Sequence, residues 1–261
     1  MPQLIIATWN VNSIRTRLQA VLDWLEKHHP HVLCLQETKV EDSQFPKEAF
    51  WGTGYEAIFT GQKAYNGMAF LSSLPLTDVS FDFQENPNSL QKRYIAATVG
   101  GIRWINVYIP NGSAVGSPPF DYKLNFIAKL RGHLEKSYTP KTPLVLVGDF
   151  NVAPEARDVY DPVAMDGEIL FHPQERAALA HLKEWGLVDL FRLHHEEGGQ
   201  YSWWDYQMNA FRRNRGLRID HIWATPLLAG RCTACDIDKA PRTQEKPSDH
   251  APVIATLEVQ T

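Results

Sequence analysis

Asp149 and Asn151 stand two residues apart at the end of an apolar run, Pro143-Leu144-Val145-Leu146-Val147-Gly148. Side chains two apart on an extended chain point the same way, so an acid and an amide are offered together to one ligand. By itself an acid after a glycine fits a turn or a helix cap equally well. The pattern recurs, however. Asn10 and Asn12 close the run from Leu4 to Trp9, and Glu37 follows Val32-Leu33-Cys34-Leu35-Gln36. Tyr108 and Asn111 end a run that starts at Arg103, Asp220 lies in Gly216-Leu217-Arg218-Ile219-Asp220-His221-Ile222, and Asp249 precedes His250 in Ser248-Asp249-His250-Ala251-Pro252. Carboxylates, amides, one tyrosine and one histidine gathered at strand ends are suited to hard metal ions and phosphate esters.

The elements that must position these groups are legible in outline. Residues 144–147 are aliphatic, rich in valine and bounded by Pro143 and Gly148, which favours a buried strand. Residues 13–27 carry Ile14, Leu18, Val21, Leu22 and Leu25 at helical spacing, with Ser13 as N-cap and Pro30 closing the segment. A loop with a short helix is expected over 41–54, then neighbouring strands over 55–60 and 67–72. Strands over 95–99 and 103–108 flank Gly100-Gly101, a hairpin signal. Helices are expected over 120–135 and 174–185, with a long irregular, acidic segment over 151–174. Residues 201–206, Tyr-Ser-Trp-Trp-Asp-Tyr, read by default as an aromatic core strand. The mixture of strand hairpins and helices fits α/β layering with two sheets face to face.

Composition narrows the class. The chain has 261 residues, 44% hydrophobic and 21% charged, with no linker, repeat or low-complexity run, which predicts one domain with ample core. No apolar stretch approaches the roughly 20 residues of a membrane span. The N-terminus enters a strand with no basic-then-apolar leader, so an unexported, cytoplasmic protein is expected. Cys232 and Cys235 form a Cys-x-x-Cys pair without a second pair of ligands, which excludes a structural zinc site; Cys34 reads as a small core residue. The net charge of −4 is unusual for a partner of nucleic acid, but Arg212, Arg213, Arg215 and Arg218 form a local basic cluster beside Asp220.

Seven motifs in order carry a family resemblance: Trp9-Asn10-Val11-Asn12, Leu35-Gln36-Glu37-Thr38-Lys39, Tyr108-Ile109-Pro110-Asn111-Gly112, Gly148-Asp149-Phe150-Asn151, Tyr201 to Tyr206, Asn214 to Asp220, and Ser248 to Pro252. Over residues 4–257 the chain resembles the exonuclease III type of apurinic/apyrimidinic endonuclease, within the endonuclease, exonuclease and phosphatase superfamily that includes DNase I. Met68, where the family more often has valine, is a core swap. The resemblance implies a single domain over 1–261 and a four-layered α/β/β/α sandwich with two packed mixed sheets. It implies a Mg²⁺-dependent nuclease, Mn²⁺ being able to substitute, that cuts double-stranded DNA 5′ to abasic sites. The same site would trim 3′ ends, and the default assembly is a monomer.

The candidate residues then take roles. Glu37 is the first expected Mg²⁺ ligand, since Mg²⁺ favours one or two carboxylates plus waters and phosphate. Asn10 either helps to hold the metal or orients Glu37, and Asp249 is a second ligand or an orienting group. By the resemblance, Asp149 aligns or deprotonates the attacking water and Asn151 orients that water. His250 donates to the scissile phosphate, with Asp220 fixing its tautomer. Tyr108 contacts the phosphate or the leaving oxygen, while Asn12 and Asn111 complete the polar floor. Trp203, Leu217 and Ile219 are implied to form a small apolar pocket for a flipped, base-less sugar, and Arg215 to meet substrate. Two other readings share some motifs: a phosphatase of inositol phosphates or of a sphingomyelin-like lipid, and a DNA-binding homologue that has lost catalysis. The aromatic 201–206 segment with 214–220 speaks for nucleic acid, and the retention of Glu37, Asp149, Asn151, Asp220 and His250 speaks for catalysis.

Overall fold

The structure, a computed structural model, describes residues 3–258. The first half of the chain runs β1 (Gln3–Asn10), α1 (Ile14–His28), β2 (Val32–Gln36), β3 (Glu56–Thr60), β4 (Met68–Ser72), β5 (Thr77–Ser80), β6 (Tyr94–Val99) and β7 (Ile102–Tyr108). The second half runs α2 (Pro118–Ser137), β8 (Leu144–Asp149), α3 (Pro173–Lys183), β9 (Val188–Asp189), β10 (Asp220–Ala224), α4 (Pro226–Ala229), β11 (Cys232–Ile237) and β12 (Val253–Glu258).

Among the described residues, twelve strands form two six-stranded sheets, in the orders β11-β12-β1-β2-β4-β3 and β5-β6-β7-β8-β10-β9. Each sheet has one parallel pair at its centre, β1 with β2 and β7 with β8, and antiparallel neighbours on either side. One apolar core lies between the sheets and includes Ile6, Cys34, Phe70, Trp104, Val147 and Ile222. A second fills the space between one sheet and α2 with α3, through Ile105, Leu146, Phe126, Leu130 and Leu179; a third packs α1 on the other sheet through Trp9, Leu35, Val21 and Leu25. These three cores between four layers are the expected α/β/β/α sandwich. Alternate residues of the central strands feed opposite cores, so β8 is apolar from Leu144 to Val147 instead of alternating.

A polar bridge crosses the central core. Gln36 Nε2 donates to Asn106 Oδ1 at 2.7 Å and to Thr8 Oγ1 at 2.9 Å, and Asn106 Nδ2 reaches the carbonyls of Leu35 and Ala69. All three side chains are buried. The bridge fixes the register of the two sheets immediately behind Glu37 and Tyr108, because buried amides must find partners and apolar contacts alone would tolerate sliding.

Local rules account for most boundaries. Ser13 Oγ accepts from the Thr16 amide and caps α1. Gly100 and Gly101 both take positive φ, 58° and 75°, which the β6-β7 hairpin turn requires. Helices α2 and α3 begin earlier than expected, at Pro118 and Pro173, since proline in a first turn forfeits no helical hydrogen bond. Residues 201–206 do not form a strand. Only Trp203 pairs, bridging Leu217 on one side and His250 on the other. The three cysteines are free thiols, two of them buried. Among the described residues no helix is long and apolar enough to cross a membrane.

Candidate active site

Register explains why the candidate groups meet. Across one sheet Tyr108 is paired with Asp149 and Asp149 with Asp220, so the ends of β7, β8 and β10 form one row. In the facing sheet Asn10 is paired with Gln36 at the ends of β1 and β2, and the chain turns sharply at Glu37, whose φ is 53°. Asn12 and Asn151 also adopt left-handed backbone, with φ of 43° and 50°. Such conformations are sparsely populated by residues with side chains and gather where function demands them.

The two rows are stitched by Asn10. Its Nδ2 donates to Glu37 Oε1 at 2.8 Å and to Asp149 Oδ2 at 2.9 Å. Asp149 Oδ1 accepts the Asn151 amide at 2.9 Å, Asn151 Nδ2 holds the Ile109 carbonyl, and Asn111 Nδ2 donates to Asn151 Oδ1 at 3.2 Å. His250 Nδ1 lies 2.8 Å from Asp220 Oδ2, and its Nε2 is 3.7 Å from Asp149 Oδ2. Ser202 Oγ also donates to Asp220 Oδ2, at 2.7 Å. The imidazole is therefore oriented by one buried acid and directed toward another.

Electrostatics separates the roles of these groups. Burial pushes the Asp149 carboxyl up to about 7, against the pull of His250, which places it near neutrality as a proton acceptor. Burial pulls the His250 ring down, but Asp220, Asp149 and Asp249 outweigh it and raise the imidazole to about 10, so it is a protonated donor at neutral pH. Burial, reinforced by Glu37 and Asp149, pushes the Tyr108 hydroxyl well above its usual value and keeps it neutral. Burial also opposes ionisation of Glu37, yet Lys39 and the Asn10 amide prevail and hold that carboxyl below the usual range.

Glu37, Asp149 and His250 are the group, among the described residues, whose ligand atoms lie within 4.8 Å of one another. A protonated imidazole has no lone pair to give, so the usable donors are carboxylate and amide oxygens, a set suited to Mg²⁺. Glu37 has the right chemistry, with Asn10 orienting it. Asp249 does not join this group. Its Oδ1 accepts from Asn12 and its Oδ2 from the Trp203 indole, at 3.0 and 2.9 Å, so of its two expected roles these contacts serve the orienting one.

Beside the polar rows lies an apolar cavity of about 300 Å³, with Trp203, Leu217, Leu170 and Met165 in its wall and Arg215 at its edge. Ile219 is buried in one apolar cluster with Ala153 and Phe171 and is not part of the cavity lining. Arg218 corrects the expected basic cluster: it is 1% exposed, ion-paired to Asp158 and Asp189, and its Nη1 meets His221 Nδ1 at 3.0 Å. Arg212, Arg213 and Arg215 remain on the surface.

Two features lay beyond sequence reasoning. Lys39 bridges Glu37 Oε2 at 2.8 Å and Asn12 Oδ1 at 2.6 Å, a role signalled only by its place two residues after Glu37. Leu170 and Met208, both large and apolar, line the cavity with positive φ of 72° and 55°. No residue pattern announces such backbone.

The model of the Endonuclease/Exonuclease/phosphatase family matches residues 7–250. Exodeoxyribonuclease III of Haemophilus influenzae is 36% identical over 95% of this chain and 97% of its own length. The DNA repair nuclease APEX1 of Danio rerio is 31% identical over 97% of this chain and 82% of its own. An AP endonuclease from Archaeoglobus fulgidus superposes with a TM-score of 0.95 at 42% identity, covering 98% of this chain and 100% of that one. The 3′ phosphatase NExo from Neisseria, bound to a product DNA hairpin, superposes with a TM-score of 0.94 at 41% identity and the same coverage.

Proposed function

The chain belongs to the Endonuclease/Exonuclease/phosphatase family, and on that premise we propose that it is a Mg²⁺-dependent DNA repair nuclease hydrolysing the phosphodiester 5′ to abasic sites. The same site would act at 3′ ends, as exonuclease and as a remover of 3′ blocks; the likeness to a 3′ phosphatase supports this breadth. The observation that carries the reading is one juxtaposition. An acid raised toward neutrality and a protonated histidine lie at the strand ends, and an apolar cavity with Trp203 in its wall opens beside them.

Phosphodiester hydrolysis needs a positioned water, a proton acceptor, and cationic or hydrogen-bonding groups where charge develops. Asp149 accepts the proton of the attacking water while the Asn151 side chain orients that water. The water oxygen bonds to phosphorus, the bond to the leaving 3′ oxygen breaks, and His250 donates to a non-bridging oxygen as charge builds there. Asp220 keeps Nδ1 of His250 engaged, so Nε2 faces the phosphate. Tyr108, neutral at working pH, donates to the phosphate or to the leaving oxygen, and Asn12 and Asn111 complete the floor. Mg²⁺ held at Glu37 with Asn10 would polarise the phosphoryl oxygen and offset developing charge, Mn²⁺ being able to replace it.

Trp203 and Leu217 would receive the extruded base-less sugar against an apolar wall, and we take this pocket to refuse a sugar that keeps its base. Asp249 ties that wall to the chemistry, since it grips the Trp203 indole and Asn12 together. The core shared by the two sheets supports reading residues 1–261 as one catalytic domain, and we take it to act as a cytoplasmic monomer on double-stranded DNA. The test is cleavage of a labelled duplex with one abasic-site analogue, beside an undamaged duplex with a recessed 3′ end, with Mg²⁺ and with excess EDTA. Metal-dependent incision at the analogue is expected. A protein that leaves the analogue uncut while degrading the control contradicts the endonuclease reading.

A further inference from the structure

Lys123 is a lysine with no exposed surface, far from any expected role. Its Nζ donates to the main-chain carbonyls of Asn111, at 3.0 Å, and Asn151, as well as to the carboxylate of Glu175. Both side chains of the Lys123-Glu175 pair are fully buried, one on α2 and the other on α3. The second oxygen of Glu175 accepts the His172 amide at 3.0 Å and closes the capping box of α3. All three ammonium protons thus have acceptors, and the aliphatic stem is accommodated at Gly112, where an added Cβ would lie 3.1 Å from Lys123 Cδ. Gly112 has a φ of 92°, so no other residue fits there without strain.

The two carbonyls held by this ammonium belong to the residues whose side chains floor the site. Asn151 has left-handed backbone and takes its place from four directions: its amide to Asp149, its Nδ2 to Ile109, its Oδ1 from Asn111 and its carbonyl to Lys123. Taking a lone ammonium out of water is costly, and a polar group kept wholly inside must be repaid by what it fixes. Here it joins two loops and two helices at one atom.

We propose that Lys123 is a positioning residue that sets the direction of Asn151 and Asn111 toward the attacking water, with Glu175 holding the ammonium in place. This rests on the nuclease reading above. It extends that site to a group one layer behind the reacting atoms, and Lys123 touches no substrate. Glu175 fixes the ammonium from the far side, while both carbonyl contacts run from Lys123 itself.

The experiment compares three full-length variants on the abasic-analogue duplex with Mg²⁺, with melting temperature, kcat and KM measured for each. Glu175→Gln offers one acceptor oxygen where the carboxylate uses two, so it cannot hold the ammonium and the His172 amide together; a lower melting temperature and a partial loss of kcat, well short of that in the lysine variants, are expected. The double variant Lys123→Met with Glu175→Gln leaves no unpaired buried charge but frees both carbonyls. Its kcat is expected to fall on the order of a hundredfold, the effect of roughly an ångström of misplacement, with KM nearly unchanged. Lys123→Arg preserves the charge opposite Glu175 and serves where the double variant does not fold; a planar guanidinium cannot serve three acceptors from one nitrogen, and the same loss in kcat is expected. Wild-type kcat in the folded double or arginine variant overturns the proposal, as does an equal loss in Glu175→Gln. The Asn151 side-chain amide resonance, expected to shift in the lysine variants and by less in Glu175→Gln, reads the clamp without turnover. A wild-type protein that cuts no DNA therefore refutes the nuclease reading, while an unmoved Asn151 resonance refutes the positioning role.

Discussion

Replacing Asp220 by asparagine alters one interaction at the centre of the site while conserving volume. Asp220 Oδ2 accepts from His250 Nδ1 at 2.8 Å and from Ser202 Oγ at 2.7 Å, and its side chain is buried. A hydrogen bond to a charged group contributes about 1.5–3 kcal/mol, and each 1.36 kcal/mol lost from the transition state costs tenfold in rate. Asp220→Asn should therefore slow single-turnover incision by roughly 10- to 150-fold. The pH profile provides a second readout. Asp220 is the first of the carboxylates that raise His250 to about 10, and the donor form of the ring exists below its pKa and is lost as pH rises through it. Removing that charge lowers the pKa, so the variant should lose rate at a lower pH than wild type on the alkaline side. The assay is quenched-flow cleavage of the abasic-analogue duplex between pH 6 and 10, with melting curves to establish folding. A folded variant within threefold of wild type, with an unmoved alkaline limb, would refute the assignment of His250 as an acid oriented by Asp220.

Other outcomes follow from the same geometry. Glu37→Ala, which removes the first expected metal ligand, should raise the Mg²⁺ concentration needed for half-maximal cleavage by tenfold or more, and excess EDTA should abolish wild-type cleavage; metal titration of rate checks both. Trp203→Ala opens the cavity and frees Asp249 Oδ2, so abasic incision should fall more than tenfold while trimming of an undamaged 3′ end changes little, as measured on the paired duplexes. Stability should decline in acid through the buried Arg218 cluster. Burial and Arg218 lower His221 to about 3 from an ordinary 6.5, so the neutral ring's contribution is full above 6.5 and is lost as pH falls toward 3. Asp189 lies at about 2, because Arg218 and His221 outweigh the burial that opposes its ionisation, and its contribution is present above about 3.9 and lost as pH falls through 2. Denaturant midpoints between pH 7 and 3 should fall steadily, and Arg218→Met should unfold or melt many degrees lower, since it strands the buried Asp189 carboxylate and leaves Asp158 paired to Arg192 alone.

What the chain decided by itself was local. Valine-rich runs ending in glycine or in polar pairs specify strands with functional tips, because side-chain alternation and backbone preference act within a few residues. Ser13, Pro118, Pro173 and the Gly100-Gly101 pair set element boundaries for reasons of capping and backbone freedom that need no distant partner. The family resemblance carried by the seven motifs implied four layers and a site at the strand ends. Tertiary structure decided which polar groups share a place. Asp249 and Arg218 carry the right chemistry for metal and for DNA, yet the fold turns the first toward Trp203 and Asn12 and closes the second around Asp158 and Asp189. Lys123 reads as one more helical lysine until α2 and α3 pack together and leave it facing two carbonyls and Glu175. Partners such as these lie 12 to 237 residues apart in sequence, and their pairing energies exist only once two sheets and their helices have fixed the distances.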